Sequence, residues 1–182
     1  MSKIAFISDL HLMPQTSDAG QLFDKFAREV AAAADQLYIL GDFLEVWWGD
    51  DAPEGGYQPL AETLRWLADE AGTEVLLMHG NRDFMIGEQL AERWHFRLLD
   101  DTETIQFNGK TALLMHGDTM CIDDLEYQAF RKMVRNPAWQ QQIMQKSLED
   151  RFKLAMEIRE NSKQNASNLA EDIMDVNAGE VE

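Results

Sequence analysis

The chain has 182 residues, of which 45% are hydrophobic, and carries a net charge of −17 with a single cysteine. That length and apolar content suffice for one buried core and fit a single domain, 1–182. The negative balance excludes indiscriminate nucleic-acid binding, because neutralising phosphates takes a basic surface.

Read in chain order, the first element is the apolar run Ile4-Ala5-Phe6-Ile7, which leads into Asp9-Leu10-His11. Met1-Ser2-Lys3 enters this run directly, unlike a signal peptide, and the apolar runs fall far short of the roughly 18 residues of a membrane span. Asp18 is placed to cap a helix reaching about residue 34, with Leu22, Phe26 and Val30 on its inner face. A second run, Leu37-Tyr38-Ile39-Leu40, ends in Gly41-Asp42. A helix is predicted over 59–71 with Leu60, Leu64 and Leu67 as its stripe. The run Val75-Leu76-Leu77-Met78 then ends in Gly80-Asn81-Arg82-Asp83, and a shorter helix covers 87–94. Asn108-Gly109 between Thr104-Ile105-Gln106-Phe107 and Lys110-Thr111-Ala112-Leu113 is a strong hairpin signal, giving an otherwise parallel sheet an antiparallel partner. The fourth run, Ala112-Leu113-Leu114-Met115, ends in His116-Gly117-Asp118. Cys121 has no partner for an internal disulfide, fits a reducing cytosol and reads as a small, partly buried side chain.

From 131 to 163 the charge reverses: eight basic residues stand against four acidic ones. Trp139, Ile143, Leu148, Phe152, Met156 and Ile158 recur there near helical spacing, which predicts an amphipathic helix or a pair of helices after Pro137. A solvated helix packed on the core accounts for this segment equally well. The tail from 161 to 182 is polar and acidic, so an uncovered sheet edge or a frayed end is expected there.

The four apolar runs are short and unbroken, as suits strands covered on both faces. Each ends in residues able to hold a metal, and ligands in an open α/β sheet gather beyond the carboxyl ends of the strands. One Asp-x-His or Gly-Asp after a strand is usually turn chemistry. Four in succession point instead to Asp9, His11, Asp42, Asn81 and His116 converging at one rim. Carboxylate, amide and imidazole donors without thiolate favour Mn²⁺, Fe or Zn²⁺. A carboxylate such as Asp42 can bridge two ions, and paired ions activate water and steady a phosphoryl group.

The order Asp9-x-His11, Gly41-Asp42, Gly80-Asn81-Arg82-Asp83, His116-Gly117-Asp118 resembles the calcineurin-like metallophosphoesterases, which implies an α/β sandwich of mixed sheets flanked by helices around a dinuclear centre. Further motifs, Gly41-Asp42-Phe43-Leu44-Glu45-Val46-Trp47-Trp48-Gly49-Asp50-Asp51, Cys121-Ile122-Asp123-Asp124-Leu125-Glu126-Tyr127, Asn161-Ser162-Lys163 and Ile173-Met174-Asp175-Val176-Asn177, are similar to the UDP-2,3-diacylglucosamine hydrolase family of lipid A biosynthesis. That resemblance implies a hydrolase that cleaves the diphosphate of an acylated UDP-sugar by attack of a metal-activated water on the α-phosphorus, giving UMP and 2,3-diacylglucosamine 1-phosphate. It implies two divalent ions, Mn²⁺ above all, held by Asp9, His11, Asp42, Asn81 and His116. Asp42, Asn81, Arg82 and His116 would serve catalysis, and Asn81, Arg82, Asp124, Tyr127 and Ser162 would bind substrate. A helical cap over 124–163 would enclose the acyl chains, and a cytoplasmic chain with peripheral contact at the inner membrane is expected. The family's last motif, Gly-His-Thr-His-Arg-Pro, does not occur before Glu182, so a C-terminally truncated chain lacking the final strands and one ligand per ion is expected. Two alternatives stay open: another calcineurin-like phosphoesterase, or a truncated, catalytically impaired product that only binds ligand.

Overall fold

Three of the four apolar runs lie side by side as β1 (Ile4–Ile7), β2 (Gln36–Leu40) and β3 (Glu74–Met78), and a two-residue β4 (Arg97–Leu98) completes a wholly parallel sheet in the order β1-β2-β3-β4. The structure is a computed structural model that describes residues 2–14, 18–168 and 176–180. It divides into two compact units, 1–116 and 117–182.

Alternation along the central strands separates two apolar faces of the sheet. Leu37, Ile39, Val75 and Leu77 belong to one buried cluster with residues of the three helices of this unit; Tyr38, Leu76 and Met78 belong to another with Ile105, Ala112 and Leu114. The second cluster is supplied by a separate antiparallel hairpin, β5 (Thr102–Phe107) and β6 (Lys110–Met115). Its turn is the expected one, with Asn108 at φ +50° and Gly109 at φ +75°, as a two-residue primed turn requires. The run 112–115 therefore pairs with its hairpin partner and not with the parallel sheet. It is covered on one face only, and Leu113 is 58% exposed. β1 departs from the expectation of two covered faces in the same way, for as an edge strand it leaves Phe6 44% exposed, stacked on Tyr38.

The helices of the first unit are α1 (Asp18–Glu29), α2 (Gln58–Trp66) and α3 (Glu88–Trp94). α1 ends at Glu29 and a separate 3-10 turn follows at Ala31–Ala33. Its inner face is one residue off the predicted stripe. Phe23, Ala27 and Ala31 are buried, whereas Leu22 and Val30 are exposed and Phe26 sits on the flank of the core. Both sets recur every fourth residue, so periodicity cannot choose between them. Packing does: Phe23 meets Phe43 edge-on at 5.2 Å, and the small Ala27 and Ala31 suit close helix approach. α2 buries Leu60, Leu64 and Leu67 as predicted, continuing through a π-turn, Leu67–Ala71, to a left-handed Gly72. α3 starts after Gly87 and buries Leu90, Ala91 and Trp94.

In the second unit, α4 (Leu125–Val134), α5 (Pro137–Met144) and α6 (Leu148–Asn168) follow one another. The segment after Pro137 is thus a helix pair. Each start is written locally: the Asp124 carboxylate accepts the Tyr127 N–H at 2.9 Å, Asn136 accepts the Ala138 N–H at 2.8 Å beside Pro137, and Ser147 Oγ accepts the Asp150 N–H at 3.2 Å. Asn177 is tied back to the Met120 carbonyl and to Asp123. The expectations for residues 169–175 and 181–182 lie outside the described residues. Among the described residues, no helix is long and apolar enough to cross a membrane.

Candidate metal centre

Beyond their carboxyl ends, β1 and β2 keep exchanging hydrogen bonds instead of turning apart. The Asp9 N–H donates to the Gly41 carbonyl at 3.1 Å, His11 to Asp42 at 2.9 Å, Leu12 to Phe43 at 2.9 Å, and Glu45 back to Leu12 at 2.9 Å. Along this extension Asp9, His11 and Asp42 adopt φ of +55°, +48° and +51°. For residues bearing a Cβ this left-handed region costs on the order of 1 kcal/mol or more each, and it persists only where surroundings enforce it. Asp83, with no exposed surface, accepts the N–H groups of Phe43 (2.8 Å), Leu44 (3.3 Å) and Gly80 (2.8 Å), clamping the loop after β2 to the loop after β3. The Arg82 N–H donates to Asp42 Oδ1 at 2.9 Å. Gly80 lies so close that a Cβ there would collide with the Asp42 carboxylate, and a Cβ on Gly41 would stand 2.5 Å from His116 Nδ1.

The clamped loops gather Asp9, Asp42 and His116, which offer ligand atoms all within 4.8 Å of one another. His11 joins through Asp42, with Nε2 3.6 Å from Oδ2, while His116 Nε2 stands 3.9 Å from Oδ1. His116 Nδ1 lies 2.8 Å from the Leu40 carbonyl, which can only accept, so Nδ1 carries the proton and the Nε2 lone pair is free for a metal. Asn81 is half-buried on the loop between the anchored Gly80 and Arg82.

Asp42 is 1% exposed, and burial pushes its carboxyl above the usual carboxylate range; His116, the Arg82 N–H and His11 pull against this, and Asp9 adds to it. Asp83 is raised as well, first by burial and then by the charge of Asp42. A cation among these groups reverses that pressure. Two carboxylates and two imidazoles around one buried oxygen pair, with no thiolate, suit a divalent metal.

Asp83 is buried, so no surface salt bridge joins it to Arg82. Asp83 is instead occupied by backbone N–H groups, and Arg82 Nε and Nη1 are buried without a hydrogen-bond partner among the described residues. Asp124, Tyr127 and Ser162 belong to the second unit. There Asp124 caps α4, Tyr127 donates its hydroxyl to Asp118 at 2.5 Å, and Ser162 is half-buried on α6. His79 and His95 stay outside the cluster: one contacts the Ile86 carbonyl, the other Asp69. The sequence reading missed Asp83 as the clamp and Glu45 behind His11. An acidic residue closing a ligand loop was the available signal for the first.

Comparison with known proteins places this arrangement. The chain belongs to the calcineurin-like phosphoesterases, whose family model matches residues 2–177, and membership implies divalent metal ions at such a centre. Within that class it is similar to proteins named UDP-2,3-diacylglucosamine hydrolase. That of Marinobacter nauticus is 45% identical over 176 residues, covering 97% of this chain and 72% of the relative. Those of Stenotrophomonas maltophilia and Xanthomonas oryzae pv. oryzae are 41% and 44% identical over 184 residues, each covering 97% of this chain and 74% of the relative.

Proposed function

We propose that this chain hydrolyses the diphosphate bond of UDP-2,3-diacylglucosamine, releasing UMP and 2,3-diacylglucosamine 1-phosphate, with two Mn²⁺ ions held by Asp9, His11, Asp42, Asn81 and His116. The observation that carries the reading is the Arg82 guanidinium, whose buried Nε and Nη1 lack partners among the described residues and which sits on the loop that also holds Asp42 by its backbone. Buried donors without acceptors are costly, and a phosphate supplies the acceptors in matching fork geometry. Divalent ions bound at this centre supply an activated water and positive charge against the phosphoryl oxygens. Asp42, between two imidazoles, would be the ligand shared by the two ions. His116 presents Nε2, and Arg82 with Asn81 orients the diphosphate for in-line attack at the α-phosphorus.

For the rest of the substrate, Asp124, Tyr127 and Ser162 are the contacts of the glucosamine unit, and the helices of 124–163 form the cap for the acyl chains. Leu125, Met133, Leu148 and Phe152 are exposed there, as acyl or lipid contact requires, amid the basic residues of that stretch. The same surface suits peripheral contact with anionic lipid at the cytoplasmic face of the inner membrane. The test is UMP release from UDP-2,3-diacylglucosamine by purified chain with and without Mn²⁺. Manganese-dependent UMP is the expected result; manganese binding with no UMP under any metal condition rejects the activity.

A further inference from the structure

We propose that Glu45 is a positioning residue: its carboxylate stands behind His11, keeps the imidazole proton on Nδ1 and thereby aims the Nε2 lone pair at the metal centre. The inference rests on the metal-centre reading above and adds a residue to which no role has been assigned. Its basis is the contrast between the two imidazoles. His116 is backed by a backbone carbonyl, a neutral acceptor at 2.8 Å. His11 has a buried Nδ1 with no aligned hydrogen-bond partner among the described residues, and Glu45 Oε2 lies 3.1 Å from it. The distance is that of a hydrogen bond, but the oxygen sits off the N–H axis. Rotation of the ring toward Oε2 would align the two, and coordination of Nε2 by a cation would set that rotation.

The alternative tautomer is disfavoured by simple electrostatics. A bare Nδ1 would direct its lone pair at a carboxylate oxygen, placing two electron-rich atoms in contact where water cannot screen them. The position of Glu45 is also fixed by the backbone. Its N–H donates to the Leu12 carbonyl at 2.9 Å, and Leu12 bridges to Leu44 in parallel register. Residue 45 is thus held beside residue 11 by the same ladder that holds His11 at left-handed φ. Its side chain is only 9% exposed. A carboxylate behind a ligating histidine fixes its ring and strengthens it as a donor, and losing such a partner typically costs about 10- to 100-fold in metal affinity.

The experiment compares the 182-residue chain with Glu45→Met, which removes the acceptor at similar size, and Glu45→Gln, which keeps an oxygen acceptor without charge. Mn²⁺ affinity is read by the free-ion spin resonance signal, and the His11 Nδ1–H by nitrogen-edited proton NMR on chain loaded with diamagnetic Zn²⁺. Glu45→Met is expected to bind Mn²⁺ about 10- to 100-fold more weakly and to lose the exchange-protected Nδ1–H, with Glu45→Gln in between. A purely structural role would lower the melting temperature without moving that proton resonance. If Glu45→Met fails to fold, Glu45→Gln carries the same comparison. Affinity within about 2-fold of the parent with an unchanged Nδ1–H overturns the role of Glu45 while leaving the metal centre standing. A parent chain that binds neither ion overturns both.

Discussion

The loops after β1, β2 and β3 are held by buried hydrogen bonds between distant residues, Asp83 to Phe43 and Arg82 to Asp42 among them. The helices α4, α5 and α6 start on partners near in sequence, and Arg131 meets Asp118 at 2.8 Å within the same unit. The first region is fixed by the topology of the sheet, and left-handed backbone at Asp9, His11 and Asp42 is tolerated only because of it. The second is specified locally, and it leaves Leu125 76% exposed. Substitutions in the first should therefore damage chemistry and folding together. Those in the second should shift affinity.

Four measurements sharpen or break that contrast. The largest effect is expected from Asp42→Ala, which should lower UMP release by at least about 10³-fold, as loss of a preorganised charge-stabilising group does; a retained rate removes its bridging role. Arg82→Lys comes next, expected at about 10²-fold, because a point charge replaces a planar fork. Asp83→Asn is expected to lower unfolding free energy by about 2 kcal/mol in urea titrations, since an amide N–H₂ would face backbone donors that now meet a carboxylate. The smallest is Tyr127→Phe, expected to raise KM by up to about tenfold with kcat nearly unchanged, the loss of one hydrogen bond. If Tyr127→Phe instead cut kcat as deeply as Arg82→Lys, the contrast between the two regions would fail.

A pH series tests the buried carboxylates directly. The folded-state pKa of Asp42 is raised, so without metal the folded chain holds that proton more tightly than the unfolded one. Its charged form costs stability as pH rises from the unfolded value through the raised folded value, and acid relieves that cost. A bound cation takes the place of the proton. The rise in melting temperature on adding Mn²⁺ should therefore be larger near pH 7.5 than near pH 5. Equal increments at both would contradict the assignment.

Much of this was legible in the letters. The strand ends carry Asp9, Asp42 and His116 because apolar runs of strand length stop at them, and Asn108-Gly109 could hardly encode anything but the hairpin. The inner face of α1 was not legible, because Leu22, Phe26, Val30 and Phe23, Ala27, Ala31 share one period and only contact with Phe43 separates them. β4 is too short to show a pattern, and its two residues pair because β3 offers an open edge. The clamping role of Asp83 was not legible for a related reason. What buries it is backbone from loops 40 residues apart, which no local reading contains.

The left-handed backbone at Asp9, His11 and Asp42 has a bearing on anyone who engineers this chain for heat resistance. Screens that reward melting temperature alone would be drawn to glycine at these three sites, where relief of torsion is available. Each such gain would delete a donor, so a hardened variant and a working one would be different molecules.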